Sequence, residues 1–190
     1  MLGADFDEIV AAARLGSRSA LAALYADLQP NVLAYLRARS RADAEDIASD
    51  VWVSVAAGLQ RFQGDESGFR GWVFTIARRR LVDARRRRVR RATDPAPREV
   101  FTAIASDVDP EGEVVTRLDY EAALSALATL PRDQEDVVLL RVVAGLSVEE
   151  VGQALGKRPG TVRVLQHRAL RRLATVLGDH RAAHQLADEA

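Results

Sequence analysis

The chain has 190 residues, with 27 basic and 27 acidic side chains, 48% hydrophobic residues and no cysteine. That length suits one large domain or two small ones, and the missing cysteine excludes disulfides, thiol catalysis and thiolate metal sites. There is no apolar run of about 18 residues and no charged-then-apolar start with a cleavage site, so a cytoplasmic protein without membrane insertion is expected.

Residues 5–15 (DFDEIVAAARL) predict a short helix with Phe6, Ile9, Val10 and Ala13 on one side and acids in its first turn, ended by Gly16. Residues 18–38 repeat the pattern through Leu21, Leu24, Tyr25, Leu28, Val32, Tyr35 and Leu36. Pro30 lacks a backbone donor and clashes with the preceding turn, so it should kink or break this helix. Residues 42–61 (ADAEDIASDVWVSVAAGLQR) predict a helix with Ile47, Val51, Val55, Ala44, Ala48, Leu59 and Trp52 toward the core. Asp43, Asp46, Asp50 and Ser54 form a row on its far side, with Val53 and Ala57 beside it. Carboxylates flanked by apolar side chains suit protein docking and repel phosphate; a plain solvated acidic face fits the same pattern.

The segment FQGDESG (62–68) predicts a loop, leading into FRGWVFTIARRRLVDARRRRVRR (69–91). Eleven of the 26 Arg lie between Arg70 and Arg98. On a helical wheel Phe69, Val73, Ile76, Ala77 and Ala84 share a sector of roughly 120°, opposite Thr75, Arg78, Arg79, Arg85 and Arg86. Asp83 is the only acid from Arg70 to Arg91. Ordinary solvated faces mix both signs, whereas a one-signed arginine row suits a polyanion, since Arg bridges phosphates and stacks on bases.

Residues 92–115 carry Pro95, Pro97, Pro110 and Gly112 and read as a flexible linker. From 99 to 121 there are seven acids against Arg117 alone, so the zero net charge conceals separate basic and acidic segments. The second half begins with a helix over 117–129, then Pro131 opens RDQEDVVLLRVVAG up to Gly145. Ser147 and Glu150 form a capping box before VEEVGQAL, Gly156 breaks the chain, and a helix runs from about Gly160 to Leu177. Short helix, Gly-containing turn and longer helix make a helix-turn-helix, whose second helix enters the major groove. Val162, Leu165, Ala169, Leu173 and Val176 form its buried stripe. Thr161, Arg163, Val164, His167, Arg168 and Arg171 point away from it, while Gln166 sits unexplained at the edge. The fold expected is all-α: two small helical domains, 1–91 and 116–177, joined by the acidic linker 92–115 and followed by a tail, 178–190.

At ADAEDIASDVW, FRGWVFTIARRRLVDARRRR and LPRDQEDVVLLRVVAGLSVEEVGQALGKRPGTVRVLQHRALRRL, the chain resembles the extracytoplasmic-function group of bacterial sigma factors, in order over roughly residues 6–177. The resemblance implies a promoter-recognition subunit with region 2 in the first half and region 4 in the second. Its implied partners are core RNA polymerase, through the β′ clamp helices and the β flap, double- and single-stranded promoter DNA, and an anti-sigma factor. Asp43, Asp46 and Asp50, with Val53, match the docking helix for the clamp. Gln63 and Phe69, within the loop from Phe62 to Phe69, match the segment that holds a flipped-out base of the minus-10 element. Trp72, Arg78, Arg79, Arg85 and Arg86 match the helix that engages the separated strand, and stacking in an electrostatic groove is what strand capture requires. Thr161, Arg163, Val164, His167 and Arg168 match the minus-35 reader. The linker matches a segment running near the polymerase active site.

The family usually has Asn where this chain has Arg79, a change that bears on which base is read. It often has a capping Ser where Arg158 stands, between Lys157 and Pro159. No cofactor is implied: His180 and His184 lack a third ligand, Gly152 to Lys157 lacks P-loop spacing, and GDESG lacks nucleophile-elbow register, so no enzyme reading survives. The competing reading is a stand-alone helix-turn-helix regulator with an N-terminal interaction module.

Overall fold

The computed structural model describes residues 2–93 and 125–188, and all regular structure among them is helical. Helix α1 (Phe6–Arg14) buries Phe6, Val10 and Ala13. The chain reverses at Gly16, whose φ of 87° suits glycine, and Ser17 caps α2 (Arg18–Arg39) by accepting from the Ala20 N–H at 3.3 Å. Helix α2 runs through Pro30 without breaking. Leu24 and Leu28 before the proline, and Val32, Tyr35 and Leu36 after it, are buried in one core. Their packing outweighs the roughly 3 kcal/mol that an interior proline costs.

Helix α3 (Ala44–Gly58) is flanked by single 3-10 turns, so Asp43 lies at its N-terminal cap position. The core side is as the periodicity predicts: Ala44, Ile47, Ala48, Val51 and Val55 are buried. The following loop is shorter than its glycines suggest, because helix α4 (Glu66–Thr93) already begins at Glu66. Asp65 caps it, accepting from the Gly68 N–H at 2.7 Å, a signal that the 62–68 assignment overlooks.

In the second half a helical stretch at 125–128 precedes α5 (Arg132–Val138), which passes into one π-turn at Leu139–Val143. The Ser147–Glu150 capping box forms and opens α6 (Val148–Leu155), which Gly156 ends with a φ of 63°. A methyl group at Gly152 would stand 2.7 Å from the Lys157 carbonyl, so this glycine lets the chain fold back tightly into α7 (Pro159–Asp188). Residues 178–188, within the expected tail, continue the helix of α7. The expected linker lies outside the described residues apart from 92 and 93, which close α4.

The two halves are not merely tethered. One apolar cluster joins Tyr35, Phe69 and Phe74 of the first half to Val137, Leu140 and Leu146 of the second. Leu130, Val138 and Ala169 make a smaller cluster under α7.

Candidate nucleic-acid and protein-docking surfaces

On α3 the core stripe turns Asp46 and Val53 outward, Val53 being 70% exposed, while Asp43 and Asp50 are half-buried. Neither half-buried acid is alone. Asp50 accepts from Arg87 of α4 at 3.4 Å, and Asp43 pairs with Arg88 at 3.6 Å and accepts from the Ser40 hydroxyl at 2.9 Å. The acidic strip and the far end of the arginine helix are therefore neighbours in space. Next to Val53 an apolar groove of about 360 Å³ opens between α2 and α3, lined by Leu21, Tyr25, Trp52 and Val55. The Trp52 and Tyr25 rings are 5.0 Å apart, and Trp52 donates to Gln29 at 2.6 Å. The wheel of α3 places Trp52 in the core; in the fold it is half-exposed and forms a wall of the groove between α2 and α3.

Along α4, Phe69, Val73 and Ala77 are buried, as the wheel requires. Phe69, expected both in the core and against DNA, is part of the core. It is 2% exposed and enclosed by Phe6, Phe62 and Trp72, with centroids 5.7, 5.3 and 5.8 Å away. Phe62 is also buried, and Trp72, half-buried, stacks on it at 5.2 Å with an interplanar angle of 28°. Gln63 is exposed in the short loop.

Besides Arg87 and Arg88, which pair with Asp50 and Asp43, six further arginines of α4 fall into three groups. Arg79, Arg85 and Arg86 are exposed and make no ion pair with a described residue. Arg80 donates twice to Ser54, at 3.0 and 2.8 Å, which ties α4 to α3. Arg70 and Arg78 point at the second half: Arg70 is 8% exposed and lies 3.2 Å from Glu150, and Arg78 donates to Asp136 at 3.2 Å. Nothing in the local pattern separates these two from the others. A cleft of about 1020 Å³ lies between α4 and the start of α5, lined by Arg78, Arg85, Arg86 and Arg132 with Asp133 and Asp136. At its base Tyr35 is fully buried, and burial holds its phenol above the ordinary value against the opposing pull of Arg39 and Arg78.

On α7, Val162 and Ala169 are buried, and Thr161, Arg163, Val164, His167 and Arg168 are all exposed. Arg163 reaches Glu149 at 3.2 Å through an exposed pair. Gln166 acquires a reason: Arg141 of the π-turn donates to it at 3.3 Å, tying the π-turn to α7. Pro159 begins α7, Arg158 accepts from Val162 through its carbonyl at 3.1 Å, and Lys157 is drawn aside by Asp133 at 2.9 Å. The first turn is thus built without a capping hydroxyl.

Comparison with known proteins is concordant in both halves. Residues 24–91 match the family described as Sigma-70 region 2, and residues 120–173 match Sigma-70, region 4. The chain is similar to the ECF RNA polymerase sigma factor SigD of Mycobacterium tuberculosis, 34% identical over 179 residues covering 91% of this chain and 84% of SigD. Its fold is similar to CnrH, solved in complex with the cytosolic domain of CnrY, with a TM-score of 0.69, 21% identity and coverage of 92% and 97% of the two chains. The same holds for RpoE of Bartonella quintana, solved with the anti-sigma factor NepR, with a TM-score of 0.63, 24% identity and coverage of 81% and 94%.

Proposed function

The chain belongs to the ECF group of sigma-70 RNA polymerase sigma factors, and from that premise we propose that it docks on core polymerase through α3 and directs initiation at promoters bearing minus-10 and minus-35 elements. The observation that carries this reading is the coexistence on one chain of two oppositely charged working surfaces. An acidic strip with exposed Val53 and an apolar groove suits a basic, apolar protein helix such as a β′ clamp helix. The outward residues of α7 suit a major groove: Arg163 and Arg168 can bridge guanine or phosphate, and Val164 can meet a thymine methyl. The second half would sit on the β flap with this face turned to the minus-35 element.

The minus-10 set narrows to Gln63, Arg79, Arg85 and Arg86, with Trp72 available if it leaves the Phe62 stack and Arg78 if it leaves Asp136. Single-strand capture by such a set combines a cationic track with a stacking ring. An anti-sigma partner fits a surface with an open apolar groove, and the complex of the similar-fold RpoE with NepR supports it. A stand-alone regulator has no need of a region 2 match over residues 24–91. The deciding experiment is run-off transcription with core polymerase over fragmented genomic DNA. Discrete start sites that depend on the added protein are expected. DNA binding without polymerase, and no start sites with it, would sink the proposal.

A further inference from the structure

We propose that Arg14 of α1 is a positioning residue for the minus-10 loop: it fixes Phe62, so that the neighbouring Gln63 is held ready for an unstacked base. This rests on the functional reading above and gives α1 a part in promoter specificity. Arg14 is half-buried and makes no ion pair with a described residue. Its guanidinium donates instead to two backbone carbonyls, that of Leu59 at 3.4 Å and that of Phe62. Leu59 opens the 3-10 turn that follows α3, and Phe62 is the residue on which that turn ends. Carbonyls at a helix end lack intrahelical partners, and a charged donor bonds them more strongly than a neutral one.

The far end of the loop is pinned as well. Asp65 accepts from the Gly68 N–H at 2.7 Å, and Glu66 accepts from the Leu2 and Gly3 N–H groups at 2.8 and 3.0 Å. Helix α1 and the turn before it therefore grip both sides of a short exposed segment, Gln63 and Gly64. The Phe62 ring is held from within: it is buried, with Phe69 5.3 Å and Trp72 5.2 Å away. A methyl at Gly64 would stand 3.2 Å from that ring, so the chain passes close over it. Trp72 is backed in turn by Gly58 of α3, where a methyl would come within 2.8 Å of the indole.

Gln63 makes no hydrogen bond with a described residue, so its carboxamide has both donor and acceptor free for the edge of a base. Backbone freedom lost on binding counts against affinity, and a loop already set in its binding conformation avoids that loss. Arg14 supplies this setting from below, through the carbonyl next to Gln63, and the chain between Phe62 and Asp65 is too short to bend independently of its two anchors. A direct phosphate contact from Arg14 is the rival account. Phosphate contacts carry no sequence information, so that account predicts a loss that is uniform over promoter sequences.

The test is run-off transcription with core polymerase from a cognate promoter and from a set changed at one minus-10 position at a time. Co-elution with core polymerase normalises each result to folded, docked protein. In the full-length chain, Arg14→Met keeps an unbranched apolar stem and removes every donor, while Arg14→Lys keeps the charge without the fork that spans two carbonyls. Arg14→Met should lose about tenfold in preference at the position where Gln63→Ala loses it, the scale of freeing one residue's backbone before binding, and little elsewhere. Arg14→Lys should fall between Arg14→Met and the unsubstituted chain. In the Gln63→Ala background Arg14→Met should add nothing, because the two residues act as a unit. A uniform fall at all positions, full additivity with Gln63→Ala, or no position at which both variants lose preference would overturn the proposal. If Arg14→Met does not co-elute, Arg14→Lys decides: a loss confined to the Gln63 position supports the role, and unchanged or uniform preference overturns it. An unsubstituted chain that fails to initiate sinks the sigma-factor reading itself, whereas an Arg14→Met chain that initiates with unaltered preference sinks only the role of Arg14.

Discussion

Asp136 of α5 and Arg78 of α4 are joined, carboxylate to guanidinium, at 3.2 Å across 58 residues of chain. Asp136 is 3% exposed and is also paired with Arg39, so it holds two cations that belong to the other half. Asp136→Asn keeps the shape and removes the charge. Loss of a charged hydrogen-bond acceptor at such a site costs about 1.5–3 kcal/mol, and a lower thermal midpoint in differential scanning calorimetry is the expected result.

Reversing Asp46 and Asp50 to Arg should leave helicity intact and abolish co-elution with core polymerase. Asp46 is exposed, and the Asp50–Arg87 pair is about half exposed on both sides, so its loss costs at most about 1 kcal/mol. A stand-alone regulator would behave otherwise: two added positive charges would maintain or strengthen its DNA affinity. Size-exclusion chromatography with core polymerase and a circular-dichroism melt check both halves of this expectation.

Arg163→Ala should reduce minus-35 recognition by about 1–3 kcal/mol, the range for a base-reading arginine. Its pair with Glu149 is exposed on both sides, so the fold should be indifferent to the change, within about 0.5 kcal/mol. Footprints and transcription titrated over several salt concentrations would test this. Unchanged protection would remove Arg163 from the reading set.

Trp72→Ala should lower thermal stability, because the indole stacks on Phe62 and contacts Phe69. Loss of an aromatic side chain from such packing costs about 3 kcal/mol or somewhat less where it is part-exposed. Permanganate reactivity of promoter thymines, normalised to folded protein, separates this from strand capture. A stacking role predicts reduced opening per folded molecule, and a purely structural role predicts none.

Alkaline stability should follow Tyr35. Burial raises its phenol above the ordinary value near 10, so the folded state binds the proton more tightly than the unfolded state. Stability is then unaffected below pH of about 10 and falls as pH rises from there through the folded value. Tyr35→Phe should flatten that decline while costing little near neutrality, since the buried hydroxyl has no hydrogen-bond partner of good geometry to lose. Urea midpoints across pH 8–11.5 for both proteins would show it.

Much of this protein follows from its sequence because the signals are local. The stripes of α1, α3, α4 and α7 come from a 3.6-residue period, the start of α6 from Ser147 and Glu150, and its end from Gly156. The exposed reading residues of α7 follow once Val162 and Ala169 are placed inward. What tertiary structure alone decided is what covers each face. A wheel puts Arg70, Arg78 and Arg79 on one charged helix, yet Arg70 is buried against Glu150, Arg78 is held by Asp136 and Arg79 faces solvent. The same holds for Pro30, kept inside α2 by a core drawn from several helices, and for Phe69, enclosed by the rings around it. Period and capping act between residues a few positions apart, whereas burial and ion pairing depend on partners that only the folded chain brings together.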